Sequence, residues 1–256
     1  PDQALESMEL TEIEIPEGLT GAWETANGTT VLRVDSKGYE YETAPMDVLV
    51  EFDAGLRGID IMLGLTDQIV YDLGDLMEGR CNISSAILEC PFCPGFFAIV
   101  APAQMTPMAL QDVELLVSGL RPHFDLILLD MPAGLGFSVQ ASQAVADNLL
   151  VVVTPDPVCI RDGNTLVQGL ARAGFDRHRL IINRVSRKLL RKQIVQDLDE
   201  VIDGVGSQLI GVVPEDPEAQ LAAAAGAPMN DKSEIMRVCA AIIRRISGDY
   251  VPLILC

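Results

Sequence analysis

The fold is decided by the stretch Leu49-Val50-Glu51-Phe52-Asp53-Ala54-Gly55-Leu56-Arg57-Gly58-Ile59-Asp60. Its first residues form an apolar strand that runs into two carboxylates, Glu51 and Asp53, and the glycine that follows lets the chain turn. Open α/β sheets bind their ligands at the carboxyl ends of parallel strands. The stretch therefore predicts an α/β domain with a ligand site after this strand. The alternative is a solvated loop that caps a helix over residues 59–64.

A second stretch repeats this pattern further along the chain, at Phe124-Asp125-Leu126-Ile127-Leu128-Leu129-Asp130-Met131-Pro132-Ala133-Gly134. A continuous apolar run delivers Asp130 into a turn of proline and glycine. A carboxylate after apolar strand positions is costly unless a cation, a hydrogen bond or water meets it. We therefore expect Asp130 at the tip of a buried parallel strand, within about 8 Å of Asp53 if both serve one metal site.

From Met46 onward the sequence alternates between strand and helix patterns. Near-continuous apolar strands indicate a parallel sheet that is covered on both faces. The expected strands lie near residues 47–52, 97–100, 125–130, 148–153, 179–183 and 208–213. The expected helices lie near residues 83–89, 109–120, 138–146, 161–173, 188–203 and 232–247. A chain of 256 residues can bury one large core of this kind.

The first 45 residues differ from the rest of the chain. They contain β-prone runs separated by the turn signals Asn27-Gly28 and Asp35-Ser36-Lys37-Gly38, which is typical of an antiparallel meander. We therefore divide the chain into an acidic β-rich segment, residues 1–45, and an α/β domain, residues 46–256. A meander this small needs a surface to pack on. We expect Trp23, Val31 and Val34 to be buried against the α/β domain.

Composition and charge limit the classes of function. The formal charge of −19 argues against indiscriminate nucleic-acid binding, although residues 172–192 hold eight of the 18 Lys and Arg side chains. This cationic stretch is either a solvated loop and helix face or a docking patch for an acidic partner, lipid headgroups or DNA. No apolar run approaches the roughly 18 residues of a membrane span, so the sequence predicts a cytoplasmic protein.

Two of the six cysteines stand close together in Cys90-Pro91-Phe92-Cys93. This spacing occurs in redox pairs and in half of a zinc site. A zinc site needs four ligands, and the chain has no second Cys-x-x-Cys pair and only His123 and His178. Structural cysteines are therefore the main interpretation, with a thiol or metal function as the alternative.

Further segments join the two acidic stretches in a recognisable order: Thr154-Pro155-Asp156-Pro157, Ile182-Asn183-Arg184 and Gly211-Val212-Val213-Pro214-Glu215-Asp216. In order and spacing they resemble the MinD family, relatives of the ParA-type ATPases, over about residues 46–256. The resemblance implies a doubly wound, mainly parallel sheet of the P-loop NTPase type. It also implies ATP and Mg²⁺ as ligands, a role in placing the division septum, and a homodimer or a division-regulator protein as partner.

The resemblance assigns roles to individual residues. Asp53 matches the switch I aspartate, which helps to position the attacking water and Mg²⁺, and Asp130 matches the aspartate that reaches Mg²⁺. Asn183 and Arg184 match the position that contacts the adenine base. Three residues match the opposite wall of the base site: Pro214, Glu215 and Asp216. Three others match the face that meets the dimer mate or partner: Arg57, Arg161 and Asp162.

One expected part of the family pattern is not in the sequence. The family carries a phosphate-binding loop on a strand just before the acidic one, but these 256 residues contain no Gly-x-x-x-x-Gly-Lys-Ser/Thr. The nearest segment, Lys232-Ser233, reads as an ordinary helix start. That strand is interior in doubly wound folds, so its neighbours would keep unpaired edges. Either residues 28–34 or 39–43 fill the gap, or the sheet closes up with another order, or the chain is unstable alone.

Three interpretations of function follow. The chain is an incomplete copy of a working ATPase with an unrelated N-terminus, or a nucleotide-free interaction module that keeps its partner surface, or a thiol or metal protein that uses Cys90 and Cys93. The short stretch after the last helix cannot form an interfacial helix, so the sequence does not support membrane association. The resemblance implies an ATP-hydrolysing family, but we expect little or no ATPase activity from this chain alone.

Overall fold

The computed structural model describes residues 10–12, 21–25, 30–35, 38–43, 46–104, 108–134, 136–186 and 197–253, with side chains from residue 46 onward. The chain divides into two compact units. The first unit consists of Pro1–Met108 and Leu115–Met131, and the second of Ala109–Glu114 and Pro132–Cys256.

The N-terminal segment forms a four-stranded sheet of its own, in the order β1-β2-β3-β4. Its strands are β1 (Leu10–Glu12), β2 (Gly21–Thr25), β3 (Thr30–Asp35) and β4 (Gly38–Thr43). Each pairs with the next in antiparallel fashion, as the meander pattern predicts. The side chains of Trp23, Val31 and Val34 lie outside the described part of the chain, so their burial stays a prediction, as does the boundary at residue 45.

The first unit also holds a four-stranded α/β sheet in the order β6-β7-β5-β8. Its strands are β5 (Asp47–Glu51), β6 (Leu88–Glu89), β7 (Phe96–Ile99) and β8 (Leu126–Asp130). Strand β5 runs parallel to β7 and β8, whereas β6 is antiparallel to β7. The core of this sheet is formed by Val48, Val50, Ala98 and Ile99, all fully buried. Parallel β5, β7 and β8 bring their carboxyl ends to one edge.

Short helices follow the strands of this unit. They are α1 (Ile59–Met62), a 3₁₀ turn (Thr66–Gln68), α2 (Leu73–Met77) and α3 (Ile83–Ala86). Helix α4 (Leu110–Leu120) has its first residues in the second unit and its remaining residues, from Leu115, in the first. The predicted helix over residues 83–89 is too long, because Leu88 and Glu89 pair with β7 instead. Helix α2 begins at a capping box between Asp72 and Asp75.

The second unit is built on a three-stranded parallel sheet in the order β11-β10-β9. Its strands are β9 (Leu149–Val153), β10 (His178–Val185) and β11 (Leu209–Pro214). Its helices are α5 (Phe137–Val145), α6 (Pro157–Arg172), α7 (Leu198–Val205), α8 (Pro217–Ala225) and α9 (Glu234–Ile246). Helix α6 begins four residues earlier than predicted, because Asp156 caps it and Pro157 occupies its first turn.

Both faces of this sheet are covered by helices. Successive residues of a strand point to opposite faces. Leu180 and Ile182 of β10 lie in the core cluster that includes residues of α6 and α7. Ile181 lies in the other cluster, with Val238 and Ile242 of α9. The second unit therefore has the doubly wound arrangement that the sequence predicts.

Strands β8 and β9 are edge strands of their sheets within the described ranges. The prediction that residues 125–130 form a buried strand is therefore wrong: Leu126 is 41% exposed and Leu128 is 38% exposed. Val152 of β9 is likewise 53% exposed. Parallel strands are normally covered on both sides.

The alternative that residues 28–34 or 39–43 fill the position of the missing interior strand also fails, because β3 and β4 pair within the N-terminal sheet.

The C-terminal helix α9 begins where the sequence predicts an ordinary helix start. The Ser233 hydroxyl is the N-cap and accepts a hydrogen bond from the Met236 N–H at 3.2 Å. Lys232 precedes this cap, and its N–H donates to the Asn230 Oδ1 at 3.0 Å. In the part of the chain that the structure describes, no helix is long and apolar enough to cross a membrane.

Candidate functional site

The first candidate site is the carboxyl edge of the sheet in the first unit. Glu51 is the residue opposite Asp130 in the β5–β8 pair, and the Phe52 N–H donates to the Asp130 carbonyl oxygen at 2.8 Å. Asp53 follows directly. The chain then turns at Gly55, whose φ of +83° favours glycine. Asp53 and Asp130 thus lie at the same sheet edge, as predicted, while their separation of about 8 Å stays a prediction.

Glu51 is an internal anchor of this edge. Its side chain is 2% exposed, and Oε1 accepts hydrogen bonds from Gly58 N–H at 2.7 Å and Ile59 N–H at 3.1 Å. Its other oxygen, Oε2, accepts from Ala101 N–H at 3.0 Å. A buried carboxylate needs partners of this kind. The expectation of a solvated loop that caps a helix is therefore partly confirmed for Glu51. Its side chain accepts hydrogen bonds at the start of α1, but it is buried and not solvated.

Asp53 and Asp130 are the two carboxylates at this edge that are available to bind a ligand. Asp53 is half-buried, and no described residue donates a hydrogen bond to either side chain. Asp130 keeps contact with solvent, yet partial burial raises its pKa, and the nearby Glu51 and Asp53 carboxylates raise it further. The ionised form of Asp130 is thus under electrostatic strain, which a cation beside it would relieve.

The residues predicted for a partner face fall into two groups. The Arg57 guanidinium lies 3.3 Å from the Asp60 carboxylate, and Asp60 is 3% exposed, so Arg57 neutralises a buried charge within its own unit. Arg161 and Asp162 instead lie one turn into α6 on an open surface, with side chains 74% and 67% exposed. Arg161 and Asp162 are therefore accessible to a partner, whereas Arg57 is engaged in an ion pair with Asp60.

The second candidate site is a pocket of about 460 Å³ in the second unit, at the carboxyl ends of β10 and β11. Pockets of about 300–1,000 Å³ suit small molecules and cofactors. All five residues predicted to contact a base line it: Asn183, Arg184, Pro214, Glu215 and Asp216. Three further residues complete the lining: Ala219, Gln220 and Ile235.

Arg184, which lines this pocket, has an unusual backbone conformation. Arg184 has φ of +56°, which makes it the one non-glycine residue with positive φ in the described ranges. Its N–H donates to the Asn183 Oδ1 at 2.9 Å, and its guanidinium lies 3.5 Å from the Glu215 carboxylate. The Glu215 N–H donates to the Val185 carbonyl at 3.1 Å. Such backbone strain is common at functional sites.

Helix α8, which lines one side of this pocket, is not among the helices expected from the sequence. Asp216 is the N-cap of α8 and accepts from Glu218 N–H at 2.8 Å. Helix α8 then presents Ala219 and Gln220 to the pocket. Asp216-Pro217 is an N-cap followed by proline at the first helical position, which is a recognised start signal and could have located Gln220.

Comparison with known proteins points to one family. No protein-family model matches the chain. The septum site-determining protein MinD of Helicobacter pylori is 34% identical over 223 residues, which cover 83% of each chain. MinD of Bacillus subtilis is 31% identical over 211 residues, which cover 80% of this chain and 79% of that protein.

Solved structures agree with these relatives. The MinC:MinD cell division protein complex of Aquifex aeolicus superposes with a TM-score of 0.74 at 25% identity, covering 82% of this chain and 86% of that one. MinD of Pyrococcus horikoshii complexed with Mg-ADP has the same fold, with a TM-score of 0.66 at 20% identity over 78% of this chain and 82% of that one. The identities, the shared fold and the two sites at carboxyl strand ends lead to one conclusion: the chain belongs to the MinD family of septum site-determining proteins.

Proposed function

We propose that this chain acts in septum site determination and binds an adenine nucleotide weakly, through the pocket at the ends of β10 and β11. The observation that carries the proposal is that pocket, whose lining includes all five residues predicted to contact a base. The relatives give independent support, since solved structures of similar fold include MinD complexed with Mg-ADP and a McdA complex with ATP.

Asn183 would recognise the base edge. A primary amide offers an acceptor oxygen with two lone pairs and two N–H donors. Its Oδ1 already accepts from the Arg184 N–H, so one lone pair and the amide hydrogens remain for a ligand. Adenine presents a donor and an acceptor side by side, which a single amide can pair with at once. Pro214, Ala219 and Ile235 supply apolar surface for the ring.

Asp130 and Asp53 would hold Mg²⁺ in the first unit. Mg²⁺ binds through one or two carboxylates together with water and phosphate oxygens, so two acids are a sufficient protein set. In the described ranges no group of three or more His, Cys, Asp or Glu side chains could hold a metal, which fits this sparse kind of site. When bound, the cation would supply charge neutralisation for phosphate oxygens. Glu51 is not proposed as a ligand, because its side chain is buried and both of its oxygens accept backbone hydrogen bonds.

Hydrolysis is not part of this proposal. Phosphoryl transfer needs the phosphates to be held in place, and the sequence contains no Gly-x-x-x-x-Gly-Lys-Ser/Thr to cradle them. Asp53 therefore has the family's catalytic position without a held substrate. We propose that the chain binds the base and the cation but has little or no ATPase activity on its own.

The first test of the base pocket is the Asn183→Ala variant. Replacing this amide should weaken adenosine binding about tenfold, since two hydrogen bonds of about 0.7 kcal/mol each would be lost. Saturation-transfer difference NMR with adenosine measures the affinity. Asn148→Ala is the matched control, because Asn148 is exposed and lies outside the pocket. Equal affinities of the two variants would show that Asn183 does not contact the base.

The cation site is tested with Asp130→Asn and Mn²⁺ as a spectroscopic substitute for Mg²⁺. Removing one carboxylate charge should weaken Mn²⁺ binding about tenfold, or about 1.4 kcal/mol. Electron paramagnetic resonance of free Mn²⁺ gives the affinity. Binding should also fall as the pH is lowered through the raised pKa of Asp130, because protons compete with the cation. Asp67→Asn, at an exposed position of the same unit, should change nothing.

A second candidate function is an interaction module that needs no nucleotide. The exposure of Arg161, Asp162 and Val158 on one end of α6 favours it, as does the solved MinC:MinD complex of the family. We propose that this face meets a second copy of the chain or a division-regulator protein. Nucleic acid is not a proposed partner, given the charge of −19.

Charge reversal tests this face. Arg161→Glu should weaken association at least tenfold, because it places a like charge beside Asp162 and removes the cation from the surface. Light scattering measures self-association, with and without an added division regulator. Arg172→Glu, at the other end of α6, is the matched control. If both variants associate as the unmodified chain does, the end of α6 is not the contact surface.

A further inference from the structure

The turn between β6 and β7 holds two cysteines in a defined geometry. The Cys93 N–H donates to the Cys90 carbonyl at 3.2 Å, and the Phe96 N–H donates to the Cys93 carbonyl at 3.0 Å. The Cys90 N–H in turn donates to the Phe96 carbonyl at 2.8 Å. Cys90 and Cys93 are thus the first and fourth residues of a β-turn, with Pro91 at the second position, where proline is favoured.

This turn brings the cysteines within disulfide range. The first and fourth Cα atoms of a β-turn lie less than about 7 Å apart. A disulfide requires a Cα separation of about 4.4–6.8 Å. Burial raises the pKa of Cys93, and the neighbouring Cys90 and Asp47 raise it further, so the thiolate that attacks a disulfide forms mainly at alkaline pH. The β-turn geometry is therefore compatible with a disulfide between the two cysteines.

The two thiols differ in access. Cys93 is exposed, whereas Cys90 is 2% exposed. An oxidant in solution therefore meets Cys93 first, and Cys90 is placed to attack from inside the protein. A metal site is disfavoured here, because the described residues provide no third His, Cys, Asp or Glu ligand around the pair.

We propose that Cys90 and Cys93 are a reversible thiol–disulfide site that exchanges with low-molecular-weight disulfides such as oxidised glutathione. The Cys93 thiolate attacks one glutathione sulfur, which forms a mixed disulfide and releases one glutathione thiolate. The Cys90 thiolate then attacks the Cys93 sulfur, which breaks the mixed disulfide and releases the second glutathione. The protein loses two electrons, oxidised glutathione gains them, and the two protons from the cysteines pass to the released thiolates.

The site is separate from the carboxylate edge of the same sheet. Asp47, at the amino end of β5, donates its N–H to the Gly95 carbonyl of this turn at 2.9 Å. Asp53 and Asp130 follow the carboxyl ends of β5 and β8, at the opposite edge. Oxidation should therefore slow hydrogen exchange in the turn and leave Mn²⁺ binding unchanged.

The test uses the full chain in glutathione buffers with a rising share of oxidised glutathione, followed by acid quenching and alkylation of free thiols. Trypsin and glutamyl endopeptidase together release residues 90–114, which contain these two cysteines alone, and residues 81–89, which contain Cys81 as an internal control. We expect the first peptide to lose both alkylations together, with a mass decrease of two hydrogen atoms relative to the dithiol. Cys81 should stay alkylated, and dithiothreitol should reverse the change.

Two variants make the result decisive. In Cys90→Ser, Cys93 should accumulate as the mixed disulfide with glutathione, because the resolving thiol is gone. In Cys93→Ser, which changes an exposed side chain, Cys90 should stay reduced in every buffer. The proposal is overturned if residues 90–114 remain as fully alkylated as Cys81 across the series. It is overturned equally if unmodified protein keeps glutathione on Cys93 while Cys90 stays free.

Discussion

Calorimetry with Mg-ATP is expected to give an affinity about 10⁴-fold weaker than that of a family member with a phosphate loop. The phosphate loop contributes a nest of backbone N–H donors and a lysine. If about four charge-assisted contacts at about 1.5 kcal/mol each are absent, the loss is about 6 kcal/mol. The base contact proposed for Asn183 and the cation contact proposed for Asp130 would not replace the free energy that those phosphate contacts contribute.

Adenosine, which carries the same base without phosphates, is the comparison ligand for this prediction. Because the sequence provides no phosphate cradle, ATP in the absence of Mg²⁺ and adenosine should bind with affinities within about threefold of each other. A family member with the loop should prefer ATP by several orders of magnitude. A dissociation constant for Mg-ATP in the low micromolar range would contradict this account and would mean that another segment of the chain binds the phosphates.

Replacement of Glu51 by alanine is expected to lower the free energy of unfolding by about 4 kcal/mol, since it leaves one buried and two half-buried backbone N–H groups without their acceptor. Urea unfolding followed by circular dichroism measures the loss. Hydrogen exchange gives the local result: the amides of Gly58, Ile59 and Ala101 should exchange faster before the rest of the unit. Glu78→Ala, at an exposed surface position, is the control and should cost less than about 0.5 kcal/mol.

Glu51→Asp separates an anchoring role from a cation-binding role. Aspartate keeps the charge but is one methylene shorter, so it cannot reach Gly58 and Ala101 together. If Glu51 is an anchor, this variant should lose about half of the stability that alanine loses, with Mn²⁺ affinity unchanged. A stable variant with altered Mn²⁺ affinity would instead make residue 51 a cation ligand.

The sequence could predict the elements that carry a periodic signal. Strands near residues 47–52, 179–183 and 208–213 are found within one or two residues of their expected bounds, because each is a short apolar run that ends at a polar turn. Asn183 and Asp216 could be placed at strand ends for the same reason. That they line one pocket follows from β10 and β11 being parallel neighbours.

The remaining features depend on contacts that lie far apart in the sequence. The role of Glu51 is set by Ala101, fifty residues later, which no local pattern reveals. The exposure of Leu126 and Leu128 depends on which strand lies beside β8, and an apolar run reads the same at the edge and in the middle of a sheet. The pairing of Arg57 with Asp60 required the fold of α1.

The most direct test of the account is a ¹⁵N-resolved NMR titration of the chain with adenosine, with guanosine as the comparison. We expect adenosine to shift the side-chain amide of Asn183, the side-chain amide of Gln220 and the backbone amide of Glu215. Guanosine should leave them in place, because its base edge presents a different donor and acceptor pattern. Shifts confined to other residues, or identical shifts with both nucleosides, would contradict the assignment of this pocket to the adenine base.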